Sequence, residues 1–139
     1  MILITGASGF LGTSLINFLP KNYKYLFVTR KKINKRINLF SKNIYTKDLF
    51  KEKSKWWAKK LKRVNVVIHL AWNISKNYRL SKKNLVCQSG SLTLANSAIK
   101  AGVKKFIMIG SILELKNEKD LYSRSKLATL KLLKKKFKK

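Results

Sequence analysis

Tyr122 and Lys126 stand four residues apart in "YSRSK", and on a helix that spacing puts a phenol and an ammonium on one face, one turn apart. A phenol with an ordinary pKa near 10 is a poor acid-base group at neutral pH, but an adjacent ammonium stabilises the phenolate and lowers that value. Chance alone supplies such pairs in a chain with 28 lysines, so a third group matters. Ser111 is that group. It ends the apolar run "FIMIGS", where a hydroxyl would stand at the carboxyl edge of a sheet, the edge at which open α/β sheets bind ligands.

A second constellation opens the chain. In "LITGASGFLG" Gly6, Gly9 and Gly12 lie where an apolar, strand-like run hands over to a helix. The first glycine permits the tight turn, the second lets backbone approach a diphosphate, and the third lets helix and sheet pack closely. The N–H groups of the first helical turn, at Phe10, Leu11 and Gly12, then face the anion. This context points to dinucleotide binding; a purely structural turn is the alternative. After the second strand, in "FVTRKK", no carboxylate is present to accept from a ribose hydroxyl. Arg30 with Lys31 or Lys32 instead suits a 2′-phosphate, so the expected cofactor is NADP in preference to NAD. Asp48 and Leu49, after the third strand, put a carboxylate near the adenine.

These residues need a scaffold of parallel strands. Five apolar runs of strand length, "MILIT", "YKYLFVT", "NIYTK", "NVVIHLA" and "KKFIMIG", alternate with stretches of helical periodicity, the pattern of βαβ units. Near-continuous hydrophobicity in the first, fourth and fifth predicts burial on both faces. Helices are expected over 9–19, with Phe10, Leu11, Leu15, Phe18 and Leu19 on one side, and over 54–63, 81–102 and 120–139. Gly102 is the expected C-cap of the third, and Asp120 the N-cap of the fourth. Residues 30–43 carry no clear pattern.

At 139 residues the chain has room for one domain. The 33 Lys and Arg against 5 Asp and Glu give a formal charge of +28, a field that attracts nucleic acid, anionic lipid and phosphorylated ligands. Lys dominates over Arg, Asn and Ile are abundant, and the bases are spread along the chain, as coding bias would also produce. The apolar runs fall far short of the roughly 20 residues that span a bilayer, and with one cysteine there is no internal disulfide. A cytoplasmic protein is expected. His69 reads as a packed core histidine, Cys87 as a small apolar helix residue, and the Trp56–Trp57 pair as packing on the sheet and its rim. No metal-site spacing is present.

Taken together, "TGASGFLG", "NVVIHLAW", "KKNLVCQSGSLTLANSAIKAGVKKFIMIGS" and "YSRSK" resemble, in order, the glycine turn, fourth strand, long helix with fifth strand, and YxxxK motif of a known superfamily. It is the short-chain dehydrogenase/reductase superfamily, in its extended branch of NAD-dependent epimerase/dehydratase proteins acting on nucleotide-linked sugars. The resemblance implies a Rossmann-like, doubly wound parallel sheet over residues 1–139. It also implies Gly6, Gly9 and Gly12 at the diphosphate, with Ser8, Phe10, Leu11, Arg30, Asp48, Leu49, Leu70 and Ala71 beside the cofactor. Tyr122 would be the acid-base, Lys126 would hold the ribose and activate the tyrosine, and Ser111 would polarise the substrate oxygen. Hydride would pass between the nicotinamide and a sugar carbon. Helices resembling residues 81–101 and 120–137 often form a homodimer interface in the family.

Members of this branch are about twice as long, with a substrate lobe after the YxxxK helix, and "ILELKNEKDL" stands where a longer substrate loop is usual. The expectation is therefore a truncated chain with a cofactor site and without the C-terminal lobe. Groups that hold a substrate in attack geometry supply about 7–11 kcal/mol of barrier lowering, so their loss puts turnover in question. A sugar-nucleotide oxidoreductase, a non-catalytic cofactor- or partner-binding remnant, and a basic nucleic-acid-associated domain remain as readings.

Overall fold

The computed structural model describes residues 1–31, 41–114 and 119–137. Among them five strands, β1 (Ile2–Thr5), β2 (Tyr25–Thr29), β3 (Lys42–Tyr45), β4 (Val66–His69) and β5 (Lys105–Met108), form one all-parallel sheet in the order β3-β2-β1-β4-β5. The helices are α1 (Phe10–Ile16), α2 (Ser54–Lys60), α3 (Lys83–Lys100) and α4 (Leu121–Phe137), with short 3-10 turns at Leu49–Lys51, Tyr78–Leu80 and Ile112–Glu114. The expected α/β, Rossmann-like architecture is present. Thr5 pairs with Val28 on one side and His69 on the other, which brings three strand ends to one edge.

Alternation along each strand sends side chains to two cores. Leu3, Leu26, Val28 and Val67 pack against Trp57, Leu61, Leu94 and Ala98. Ile4, Tyr25 and Phe27 pack on the other face against Ala7 and Ile16. Trp57 is fully buried, with Trp56 edge-on at 4.8 Å and partly buried at the rim, as the sequence suggested. Among the described residues the Trp57 Nε1–H has no hydrogen-bond partner, a cost of about 1–3 kcal/mol set against burial of the whole ring.

Two expectations about burial are corrected. The fully buried strand is β2, whereas Ile107 in β5 and Ile109 just after it are exposed, because the strand order leaves β5 at the sheet edge. On α1 the inward face is Gly12, Leu15 and Ile16, with Leu19 packing inward beyond the helix end, while Phe10 (86% exposed), Leu11 and, past the helix, Phe18 face outward. Close packing of Gly12 on the preceding loop fixes the helix rotation and turns Phe10 away.

The expected caps of α3 and α4 are in place, while α1 and α2 end at Ile16 and Lys60, short of the expected 19 and 63. Gly102, at φ +74°, ends α3 in a Schellman arrangement: the Val103 N–H donates to the Ala98 carbonyl and the Gly102 N–H to Ile99. Asp120 caps α4 by accepting from the Ser123 N–H at 2.9 Å. At its far end α4 returns to the sheet, where Phe137 packs on Phe106 at 5.5 Å. No helix of the described residues is long and apolar enough to cross a membrane.

Candidate functional site

The glycine turn lies at the carboxyl end of β1. Gly6 sits at φ +71°, and a Cβ there would lie 2.7 Å from the Ala71 backbone nitrogen, so the turn is pressed against the end of β4. A Cβ on Gly12 would lie 2.4 Å from the Gly6 oxygen and 2.5 Å from Ala7 Cα. Gly9 differs: it is exposed, its backbone is extended, and a Cβ would meet only the Gly6 oxygen, at 3.2 Å. Gly9 is the N-cap of α1, and no side chain caps that helix. The cradle thus offers first-turn N–H groups beside a residue with no side chain, which fits a diphosphate. Ser8 is half-buried beside it, and Phe10 and Leu11 begin the helix with exposed side chains.

Other predicted residues gather at the same sheet edge. Ala71 is buried, and the Leu70 N–H donates to the Thr5 carbonyl at 3.2 Å. Arg30 is exposed directly after β2, where the Thr29 hydroxyl donates to the Lys31 carbonyl at 2.7 Å; Lys32 lies outside the described residues. Asp48 accepts from the Phe50 N–H at 3.1 Å, capping the turn at Leu49–Lys51, and Leu49 is buried in the core. Burial pushes the Cys87 thiol up to about 11; a backbone hydrogen bond at Asn73 opposes it, and the charges of Asp48, Lys126 and Arg30 all act on it.

On α4, Tyr122 and Lys126 are both buried, on a helix that packs against α3. The Lys126 ammonium donates to the Ile109 carbonyl at 2.5 Å and lies 4.7 Å from the centre of the Trp72 ring. Tyr122 is edge-on to Trp72 at 6.3 Å and to Tyr78 at 4.9 Å. Ser111 follows β5, and its hydroxyl accepts from the Leu113 N–H at 3.3 Å. The fold thus brings Tyr122 and Lys126 around one indole, with Ser111 two residues beyond the carbonyl that Lys126 grips.

Behind this edge runs a buried polar chain. The Thr5 hydroxyl meets His69 Nδ1 at 2.6 Å, and His69 Nε2 meets the Ser91 hydroxyl at 2.8 Å. Burial, with the charge of Lys126 adding to it, pushes the imidazole down to about 3, so it is neutral at pH 7. Both ring nitrogens are used inside the core, as expected of a packed histidine.

Sequence reasoning passed over Trp72, Tyr78 and Gly90. Trp72 directly follows Ala71, and its Nε1–H donates to Asn84 Oδ1 at 2.9 Å. Tyr78 belongs to a turn held by the Asn84 amide, which donates to the Tyr78 carbonyl at 2.6 Å, and by Arg79, which pairs with Asp120 at 2.7 Å. A Cβ on Gly90 would lie 2.4 Å from Phe50 Cα, so this glycine lets α3 approach the Leu49–Lys51 turn. Only the tryptophan carried a signal: a large aromatic at the end of a predicted strand.

A parallel sheet in this order, with a glycine turn after its first strand, defines a Rossmann-type nucleotide-binding fold. The family model for the NAD dependent epimerase/dehydratase family matches residues 2–135, and the chain belongs to that family. Its sequence is 32% identical over 118 residues to UDP-glucose 4-epimerase of Vibrio cholerae, covering 80% of this chain and 34% of that protein. Among solved structures, it resembles dTDP-glucose 4,6-dehydratase from Streptomyces venezuelae, solved with NAD bound (TM-score 0.78, 15% identity, 99% of this chain and 51% of that one). It also resembles UDP-N-acetylglucosamine 4-epimerase from Methanobrevibacter ruminantium (TM-score 0.78, 20% identity, 98% and 51%). The chain spans about half the length of these solved relatives and a third of the curated one.

Proposed function

We propose that residues 1–139 form a single dinucleotide-binding domain, the N-terminal part of an NAD(P)-dependent nucleotide-sugar epimerase, dehydratase or reductase. The observation that carries this reading is the glycine turn: Gly6 and Gly12 pack on backbone, bare Gly9 starts α1, and the turn shares its edge with Tyr122 and Lys126. In this reading the first-turn N–H groups of α1 hold the diphosphate, and Lys126 Nζ holds the nicotinamide ribose. When bound, the dinucleotide accepts or supplies a hydride at a sugar carbon. Tyr122 Oη takes or returns the proton of the sugar hydroxyl as it interconverts with a ketone, and Ser111 Oγ donates to that same oxygen. Arg30, exposed with no acid beside it after β2, favours the 2′-phosphate of NADP. A homodimer would use the outer faces of α3 and α4, where Leu85, Val86 and Leu132 are exposed.

The test is a fluorescence titration with NADP(H) and NAD(H), followed by an assay on UDP-glucose. Saturable binding is the expected result, and absence of binding to both at millimolar levels rejects the reading. Turnover that survives Tyr122→Phe rejects the acid-base assignment. A second reading, a non-catalytic dinucleotide-binding protein, is favoured by the enclosure of Tyr122 between Tyr78 and Trp72, which leaves it 8% exposed. A thermal shift with cofactor and no turnover supports it.

A further inference from the structure

Lys126 is a buried cation on α4, and its ammonium needs fixed partners to hold one position. Two are in place: the Ile109 carbonyl at 2.5 Å and the face of Trp72 at 4.7 Å from the ring centre. The indole is itself held from three sides. Its Nε1–H donates to Asn84 Oδ1, Phe50 stands edge-on at 6.4 Å, and Tyr122 edge-on at 6.3 Å. Asn84 is in turn anchored, fully buried, by donating to the carbonyls of Tyr78 and Ser81.

We propose that Trp72 is the positioning residue for Lys126: the anchored indole and the Ile109 carbonyl together fix where the ammonium stands beside Tyr122. The proposal rests on the dinucleotide-binding reading for its effect on affinity, and on geometry alone for its effect on Lys126. A ring face attracts a cation through its quadrupole, and the attraction strengthens when the pair is removed from water, as here.

The test has two readouts on the 139-residue chain. In wild type the ε-methylene protons of Lys126 resonate upfield of those of exposed lysines, because they sit over a ring current. In Trp72→Leu that displacement disappears, and the Kd for NADP+ rises about tenfold, the scale expected for a desolvated cation over an aromatic face. Against loss of folding in the leucine variant, mono-, di- and trifluorotryptophan placed at position 72 alone preserve the shape and weaken the ring face stepwise. The expected result is a Kd that climbs with each fluorine. A flat Kd across that series, in a chain whose wild type binds, overturns the proposal. So does a Lys126 resonance at the position of exposed lysines. Wild-type chain that binds neither dinucleotide rejects the functional reading instead, and the Lys126 resonance then decides the Trp72 assignment by itself.

Discussion

Substituting alanine at Gly12 and at Gly9 separates packing from binding. At Gly12 the new methyl would stand 2.4 Å, 2.5 Å and 2.6 Å from three backbone atoms of Gly6 and Ala7. Backbone cannot rotate aside, so α1 must withdraw by about 1 Å to restore ordinary contact. Overpacking typically costs about 1–3 kcal/mol, and three rigid contacts put this site at the upper end. Alanine returns about 1 kcal/mol of helix propensity, which leaves a net loss of about 2 kcal/mol. In a domain of this size that lowers Tm by about 8 °C. At Gly9 the methyl meets one atom at 3.2 Å on an extended backbone, so stability changes by about 1 kcal/mol or less. The same methyl stands in the cradle, and dinucleotide affinity falls about tenfold or more, as when a group is forced into a filled site. Thermal denaturation and a fluorescence titration on both variants give the answer. An unchanged Tm for Gly12→Ala refutes the packing of α1, and unchanged affinity for Gly9→Ala refutes the cradle.

Replacing Arg30 with alanine is expected to weaken NADP binding several-fold, about 1 kcal/mol for a surface charge-assisted contact, and to leave NAD nearly unaffected; equal losses for both would remove its role in cofactor choice. His69 is held down to about 3 against 6.5 when free, so between those values the unfolded chain carries the extra proton. Stability is therefore full above pH about 6.5 and declines as pH falls through the window, by up to ~1.4 kcal/mol per pH unit from this residue. Urea denaturation across that range should show a flatter profile for His69→Gln, and identical slopes would contradict the buried neutral imidazole. Burial raises the Asp120 carboxyl, but the Ser123 amide, Arg79 and the Ser123 hydroxyl outweigh it and hold the group below its ordinary value. Its contribution is present above the ordinary carboxylate range and is lost in acid as pH falls through the lowered value. Asn at this position still caps α4 but cannot pair with Arg79, so Asp120→Asn should lose this acid dependence with little change in helix content by circular dichroism.

Local chemistry was legible in the residues. Gly102 could end a helix because a left-handed residue is needed there, Asp120 could begin one because its carboxylate reaches an amide three residues on, and both do. The glycine spacing at 6, 9 and 12 and the alternation of strand and helix were likewise enough to predict a parallel sheet with a tight glycine turn after its first strand. Their signals lie within a few residues of one another, where backbone geometry alone sets the outcome.

What the tertiary structure decided depended on residues distant in sequence. The apolar pattern could not tell that β5 is an edge strand, because strand order is a property of the whole sheet. Nor could it tell that Phe10 and Phe18 face outward, because the rotation of α1 is set by Gly12 meeting the Gly6–Ala7 backbone. Trp72 gave no reason to be joined to Lys126, 54 positions later, until β4 and α4 were folded together. Spacing along the chain determines which groups share a helix face or a turn; only close packing between elements determines which of those groups meet.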